Sequence, residues 1–169
     1  NLDPSFHASV TEQVAYALEN EIPHPGDNIL PRVPALNKVC EAPAVRGALT
    51  SLLGKQFAFL PHRFPHNSEP LGEDQAIEVD AFDSQPTMAE GSISASGWHQ
   101  DGHASSGRSC WHTFRATNVF YFPHDTPLQM GPTRFLAGSH LYATLHDLCP
   151  EQAVMHMIPA GSVVIADFN

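Results

Sequence analysis

The sequence predicts an α+β domain with a mainly β core, a β-sandwich or jelly roll preceded by helices. Three observations carry that expectation. Two amphipathic patterns of helical period fill the first 54 residues, the period is lost after Gly54, and short aromatic and β-branched runs between Gly and Pro turns follow. The 169 residues suit one domain, and 42% hydrophobic against 15% charged residues is the composition of a chain that folds around a core.

Ser9-Val10-Thr11-Glu12 has the form of a capping box, and Val10, Val14 and Leu18 then recur on one stripe, so a first helix is expected from Ser9. Pro23 to Pro34 holds three prolines after Pro23 and reads as loop. A second helix is expected from Pro43, whose missing N–H costs nothing in a first turn. Val45, Leu49, Leu52 and Leu53 are expected to supply its buried face, and Gly54 ends it. Gln56 to Leu60, bounded by Pro61 and Pro65, reads as a strand near a sheet edge.

Glu69 to Gly97 carries seven acids and no Lys or Arg, the pattern of a surface excursion. Phe114 to Phe122 is aromatic and β-branched, a strand expected to be buried on both faces near its end. Pro123 to Pro132 reads as turn, Thr133 to Ala137 as strand, Pro159-Ala160-Gly161 as turn and Ser162 to Phe168 as a final strand. The expected domain spans 1–169, helical over 1–54 and β-rich over 55–169, with an acidic insertion near 69–97.

Eight Lys and Arg against 18 Asp and Glu leave a net charge of −10. Such a chain repels phosphate backbones and anionic lipid, so nucleic acid and membrane are poor partners. Cys40, Cys110 and Cys149 are odd in number and far apart, which suits reduced thiols of a cytoplasmic protein better than disulfides or a zinc site.

Eleven histidines are the unusual part of the composition. His99 and Asp101 lie two apart, so on a strand they share a face and offer two thirds of the 2-His-1-carboxylate set that holds Fe(II) with open positions. With 11 His and 9 Asp, chance alone gives about 0.6 His-x-Asp pairs, so the spacing is weak by itself. A zinc pair of His99 and His103 needs a helix that Gly102 disfavours, and Pro65 breaks the equivalent pair of His62 and His66. Phosphate-binding glycine loops and a Gly-x-Ser-x-Gly nucleophile turn are absent from the sequence.

Several motifs in order resemble the phytanoyl-CoA dioxygenase family of Fe(II)/2-oxoglutarate oxygenases. Ala44 to Gly54 resembles the helix before its first core strands, and Pro61-His62-Arg63-Phe64-Pro65-His66-Asn67 its Pro-His-Arg-x-x-His segment. Trp98-His99-Gln100-Asp101 looks like its metal motif. Tyr121 to Asp125, Met130-Gly131-Pro132-Thr133 and Ala137-Gly138-Ser139-His140 follow in the family's order, and Pro159 to Ile165 is similar to the strand that leads to its second iron histidine.

The resemblance implies a double-stranded β-helix (jelly roll) with His99 and Asp101 as Fe(II) ligands and 2-oxoglutarate and O₂ as cosubstrates. Hydroxylation of a small organic substrate would release succinate and CO₂. Asp101 favours hydroxylation, because related halogenases lack this carboxylate and put halide in its place. Gln100 is placed near 2-oxoglutarate by the resemblance. Thr117 and Asn118 sit mid-strand among apolar neighbours, so one of them should face a buried polar site. Arg63 and Arg115 are expected to serve structural ion pairs before substrate contacts.

Two departures stand out. The acidic stretch lengthens the distance from Asn67 to Trp98, and the second histidine and the 2-oxoglutarate arginine are expected beyond Asn169. The 169-residue chain is therefore expected to bind Fe(II) weakly and not to turn over 2-oxoglutarate. A jelly-roll binding module without catalysis is the alternative reading.

Overall fold

A computed structural model describes residues 2–20, 28–60, 63–65, 116–127, 130, 133, 135–138, 153–154 and 157–167. Helix α1 (Pro4–Asn20) opens the chain, and a 3₁₀ turn (Pro34–Leu36) leads into α2 (Asn37–Glu41) and α3 (Pro43–Leu53). Four strands follow: β1 (Thr117–Phe122), β2 (Phe135–Leu136), β3 (Ala153–Val154) and β4 (Ser162–Asp167).

Helix α1 starts five residues before the expected cap at Ser9, because a stronger start lies upstream. Asp3 Oδ1 accepts from the Phe6 N–H at 3.0 Å and from the Ser5 hydroxyl at 2.5 Å, and Pro4 takes the first helical position. Ser9 and Glu12 thus lie inside the helix. These two hydrogen bonds, the Ser5 one foremost, lower the Asp3 carboxyl from its ordinary 3.8. A depressed folded value means the cap stabilises fully above pH 3.8 and fades as pH falls through the lowered value. Asp3→Ala is expected to lower the melting temperature at pH 7, and the gap from wild type should narrow as the buffer is acidified below pH 4, followed by circular dichroism.

Phe6, Val10, Val14 and Ala17 form the buried stripe of α1 and pack with Ile29 and Val33. Residues 28–36 are therefore more than loop. Ile29 and Val33 lose nearly all exposure, and the Val33 N–H reaches Ile29 O at 3.0 Å in a single turn. Helix α2, which no sequence pattern announced, adds buried Val39. Helix α3 runs between its expected ends, with Pro43 in the first turn, Val45 and Leu49 buried, and Gly54 at φ +85° after the last residue; Leu52, expected on the buried face, is exposed.

Gln56 to Leu60 does not form a strand. Its aromatic rings are taken up by side chains instead: Arg46 lies over Phe57 and Arg63 over Phe59, at 5.3 and 5.5 Å from the centroids. Arg63 also holds the chain through its backbone, accepting from the Ile29 N–H at 3.1 Å, and its guanidinium donates to Leu60 O.

Strands β1 and β4 pair antiparallel from Thr117↔Asp167 to Phe122↔Ser162. The same register reaches Thr126↔Ile158, four residues further along one arm and four back along the other. Inside it, β2 and β3 pair as Phe135↔Val154 and Leu136↔Ala153. The described strands thus form two two-stranded antiparallel sheets, with β2–β3 nested between β1 and β4 in chain order. The Thr133 to Ala137 expectation contracts here to Phe135–Leu136, since Ala137 and Gly138 already turn with Gly138 at φ +75°. Strand β1 is half-buried along its whole length, not buried on both faces near its end as expected. Its covered faces meet one helix and one short strand.

Candidate functional site

Side chains alternate across a strand, and directly paired residues of an antiparallel ladder share a face. Two contacts orient the β1–β4 sheet. Tyr121 packs against the α1 core cluster, so Thr117, Val119, Tyr121, Val163, Ile165 and Asp167 belong to the helix side. Phe120 meets the Phe135 ring edge-on at 5.5 Å, so Asn118, Phe120, Phe122, Ser162, Val164 and Ala166 face β2.

This alternation separates the two polar residues of β1. Asn118 lies half-buried on the face toward β2, opposite Ala166. Thr117 lies half-buried on the helix face, opposite Asp167. Only Asn118 shares a face with Phe120 and Phe122. His99, Gln100, Asp101, His103 and Arg115 lie outside the described residues, as does the whole acidic 69–97 stretch. Among the described residues no group of three His, Cys, Asp or Glu is placed to hold a metal ion.

On the helix side, His7 Nδ1 and Tyr121 Oη stand 2.6 Å apart. Burial pushes the Tyr121 phenol up to about 12, so it remains a donor through neutral pH. The hydrogen bond between this phenol and the His7 imidazole ties α1 to β1. The same imidazole covers Gly161, at φ +82°, in the turn before β4. Asp125 reinforces this turn by accepting from the Ala160 N–H at 2.8 Å. Nothing in the spacing marks His7, since its partner is 114 residues away in sequence.

A groove of about 620 Å³ runs beside these residues, lined among others by Leu2, His7, Thr11, Glu12, His124 and Asp125. It is on the α1 side of the sheet, the face opposite Asn118. Its polar groups already serve the fold: His7 meets Tyr121, Asp125 holds Ala160, and exposed His124 donates through Nδ1 to Asp125 O at 3.0 Å. Cys40 is a half-buried free thiol whose pKa burial raises, which keeps it protonated and a poor nucleophile.

No protein-family model, no curated protein and no solved structure matches the chain in comparisons with each. Among the described residues no helix is long and apolar enough to cross a membrane.

Proposed function

We propose that this chain belongs to an Fe(II)/2-oxoglutarate-dependent dioxygenase of jelly-roll fold that hydroxylates a small organic substrate. The observation that carries this is the order of motifs from Trp98-His99-Gln100-Asp101 to Pro159–Ile165, joined to the pairing of two of its segments as neighbouring strands. The strand bearing Thr117 and Asn118 lies beside the strand that the resemblance places before the second iron histidine. Nested antiparallel pairs are also what a long ribbon wound into a jelly roll requires.

The donor chemistry suits the group. An imidazole from His99 and a carboxylate from Asp101 are ligands that Fe(II) accepts while keeping positions open. Bound iron and 2-oxoglutarate supply the oxidation, consuming O₂ and releasing succinate and CO₂. The chain's own share is binding and orientation. Asn118 offers an amide N–H to a cosubstrate oxygen on the face toward β2, and Gln100 offers a second. Phe120 and Phe122 keep that face apolar, which strengthens polar contacts made against it.

The test is anaerobic binding of 2-oxoglutarate to the natural full-length polypeptide, with and without Fe(II), followed by succinate release in air. Metal-dependent binding and succinate are expected. Binding that ignores the metal, or none, would leave a non-catalytic jelly-roll module. Within this reading, Asn118→Ala should weaken 2-oxoglutarate about tenfold, the worth of one hydrogen bond to a charged group. Thr117→Ala, on the helix face, should stay within about twofold. Equal effects would reject the assignment of faces.

A further inference from the structure

The positive charge of this acidic chain is concentrated. Five of its eight Lys and Arg (Arg32, Lys38, Arg46, Lys55 and Arg63) fall between residues 32 and 63, where Glu41 is the one acid. The described structure gathers part of this charge onto aromatic rings. Arg46 lies over Phe57 at 5.3 Å, Phe57 meets Phe59 edge-on at 5.5 Å and 87°, and Arg63 lies over Phe59 at 5.5 Å.

Leu60, next in the chain, is 68% exposed and Phe59 37% exposed, while Arg46 and Lys55 are exposed. Among the described residues neither Arg46 nor Lys55 has a carboxylate partner. A guanidinium over a ring makes no hydrogen bond to it through most of its five N–H donors, which can still serve a carboxylate.

We infer that the surface formed by Arg46, Lys55, Phe57, Phe59 and Leu60 docks an acidic peptide segment of a partner protein, one that also carries an apolar side chain. The arginine and lysine take its carboxylates, and Leu60 with the edge of Phe59 takes the apolar residue. Charge range favours a peptide over an anionic bilayer. Charges are screened beyond about 8 Å at physiological salt, so a short peptide meets only this patch. A bilayer spreads over a footprint in which the net −10 of the chain opposes approach.

Fluorescence anisotropy tests this with a fluorescein-labelled peptide that alternates Glu with Leu and Phe, a version with Gln for Glu, and phosphatidylserine-containing vesicles. The Glu peptide should bind, and binding should weaken steeply as salt rises. Joint Arg46→Gln and Lys55→Gln substitution should weaken it about tenfold, and Leu60→Ser about fivefold, with far-ultraviolet circular dichroism unchanged. These three side chains are exposed, so their replacement spares the core.

Equal binding of the Gln peptide, indifference to the substitutions, or capture by vesicles in place of the peptide would overturn the inference. Binding that appears only after the acids from Glu69 to Glu90 are changed to Gln would also overturn it, making the patch a contact within the chain.

Discussion

Alanine in place of His99 or Asp101 is expected to lower Fe(II) affinity by at least about a hundredfold, since loss of outer-shell partners alone costs ten- to a hundredfold. Each ligand is one of three that the proposed centre has, and the two remaining cannot close the set. Succinate release in the natural full-length polypeptide should vanish with the metal.

His103→Ala is the control that separates the competing readings. It should leave Fe(II) binding within about twofold, because the iron set does not use His103. If His103→Ala costs as much as Asp101→Ala, and zinc binds in its place without any dependence on 2-oxoglutarate, a His99–His103 zinc site replaces the iron centre. Iron titration under anaerobic conditions, with zinc in parallel, reads all four proteins.

The largest expected effect on stability comes from Gly161→Ala. At φ +82° an L side chain costs about 1–2 kcal/mol. A Cβ there would also stand 2.5 Å from His7 Nε2 and 2.9 Å from Cε1. The ring must move, and it is held by Tyr121, so a hydrogen bond worth about 1 kcal/mol is put at risk. Together these give about 2–3 kcal/mol, or roughly 4–12 °C in melting temperature for a chain of this size. In a His7→Ala background the steric part should disappear and only the backbone part remain. A double-mutant cycle by thermal denaturation should therefore show about 1 kcal/mol of coupling. Strictly additive losses would mean that the imidazole does not press on this turn.

Elements governed by local chemistry were legible in the sequence. Helix α3 announced both ends through Pro43 and Gly54, and the core of β4 was plain from its run of Val and Ile. Helix α1 was legible as a stripe but misplaced at its start. Ser9 to Glu12 imitates a capping box in register with that stripe, whereas Asp3-Pro4 captures the free N–H groups first. Inside the helix Thr11 turns its hydroxyl back to His7 O at 3.1 Å. The strand expected over 56–60 failed because an aromatic run records a wish for burial, which cation–π and edge-on ring contacts can answer as well as a ladder does. Two-residue β3 is too short to show any period.

Of the candidate site, residue types were legible and faces were not. Thr117 and Asn118 look equivalent until Tyr121 is seen against α1 and Phe120 against Phe135, and neither contact has a local signal. Strand partners are equally hidden, because the pairing of 117–122 with 162–167 depends on a chain reversal far from either.

The nested pairing bears on how the chain finds its fold. Joining β2 to β3 closes a loop of 16 residues, from 137 to 152, whereas joining β1 to β4 first would close 39, from 123 to 161. Loop-closure entropy favours the shorter by about 0.8 kcal/mol, roughly fourfold. Once the inner pair is held, the Thr126–Ile158 bridge and then the β1–β4 ladder each close over a short remaining stretch. Loop-closure entropy therefore favours assembly from the inner pair outward. The His7–Tyr121 lock spans 114 residues of sequence, so the same entropy favours closing it after β1 has its partner.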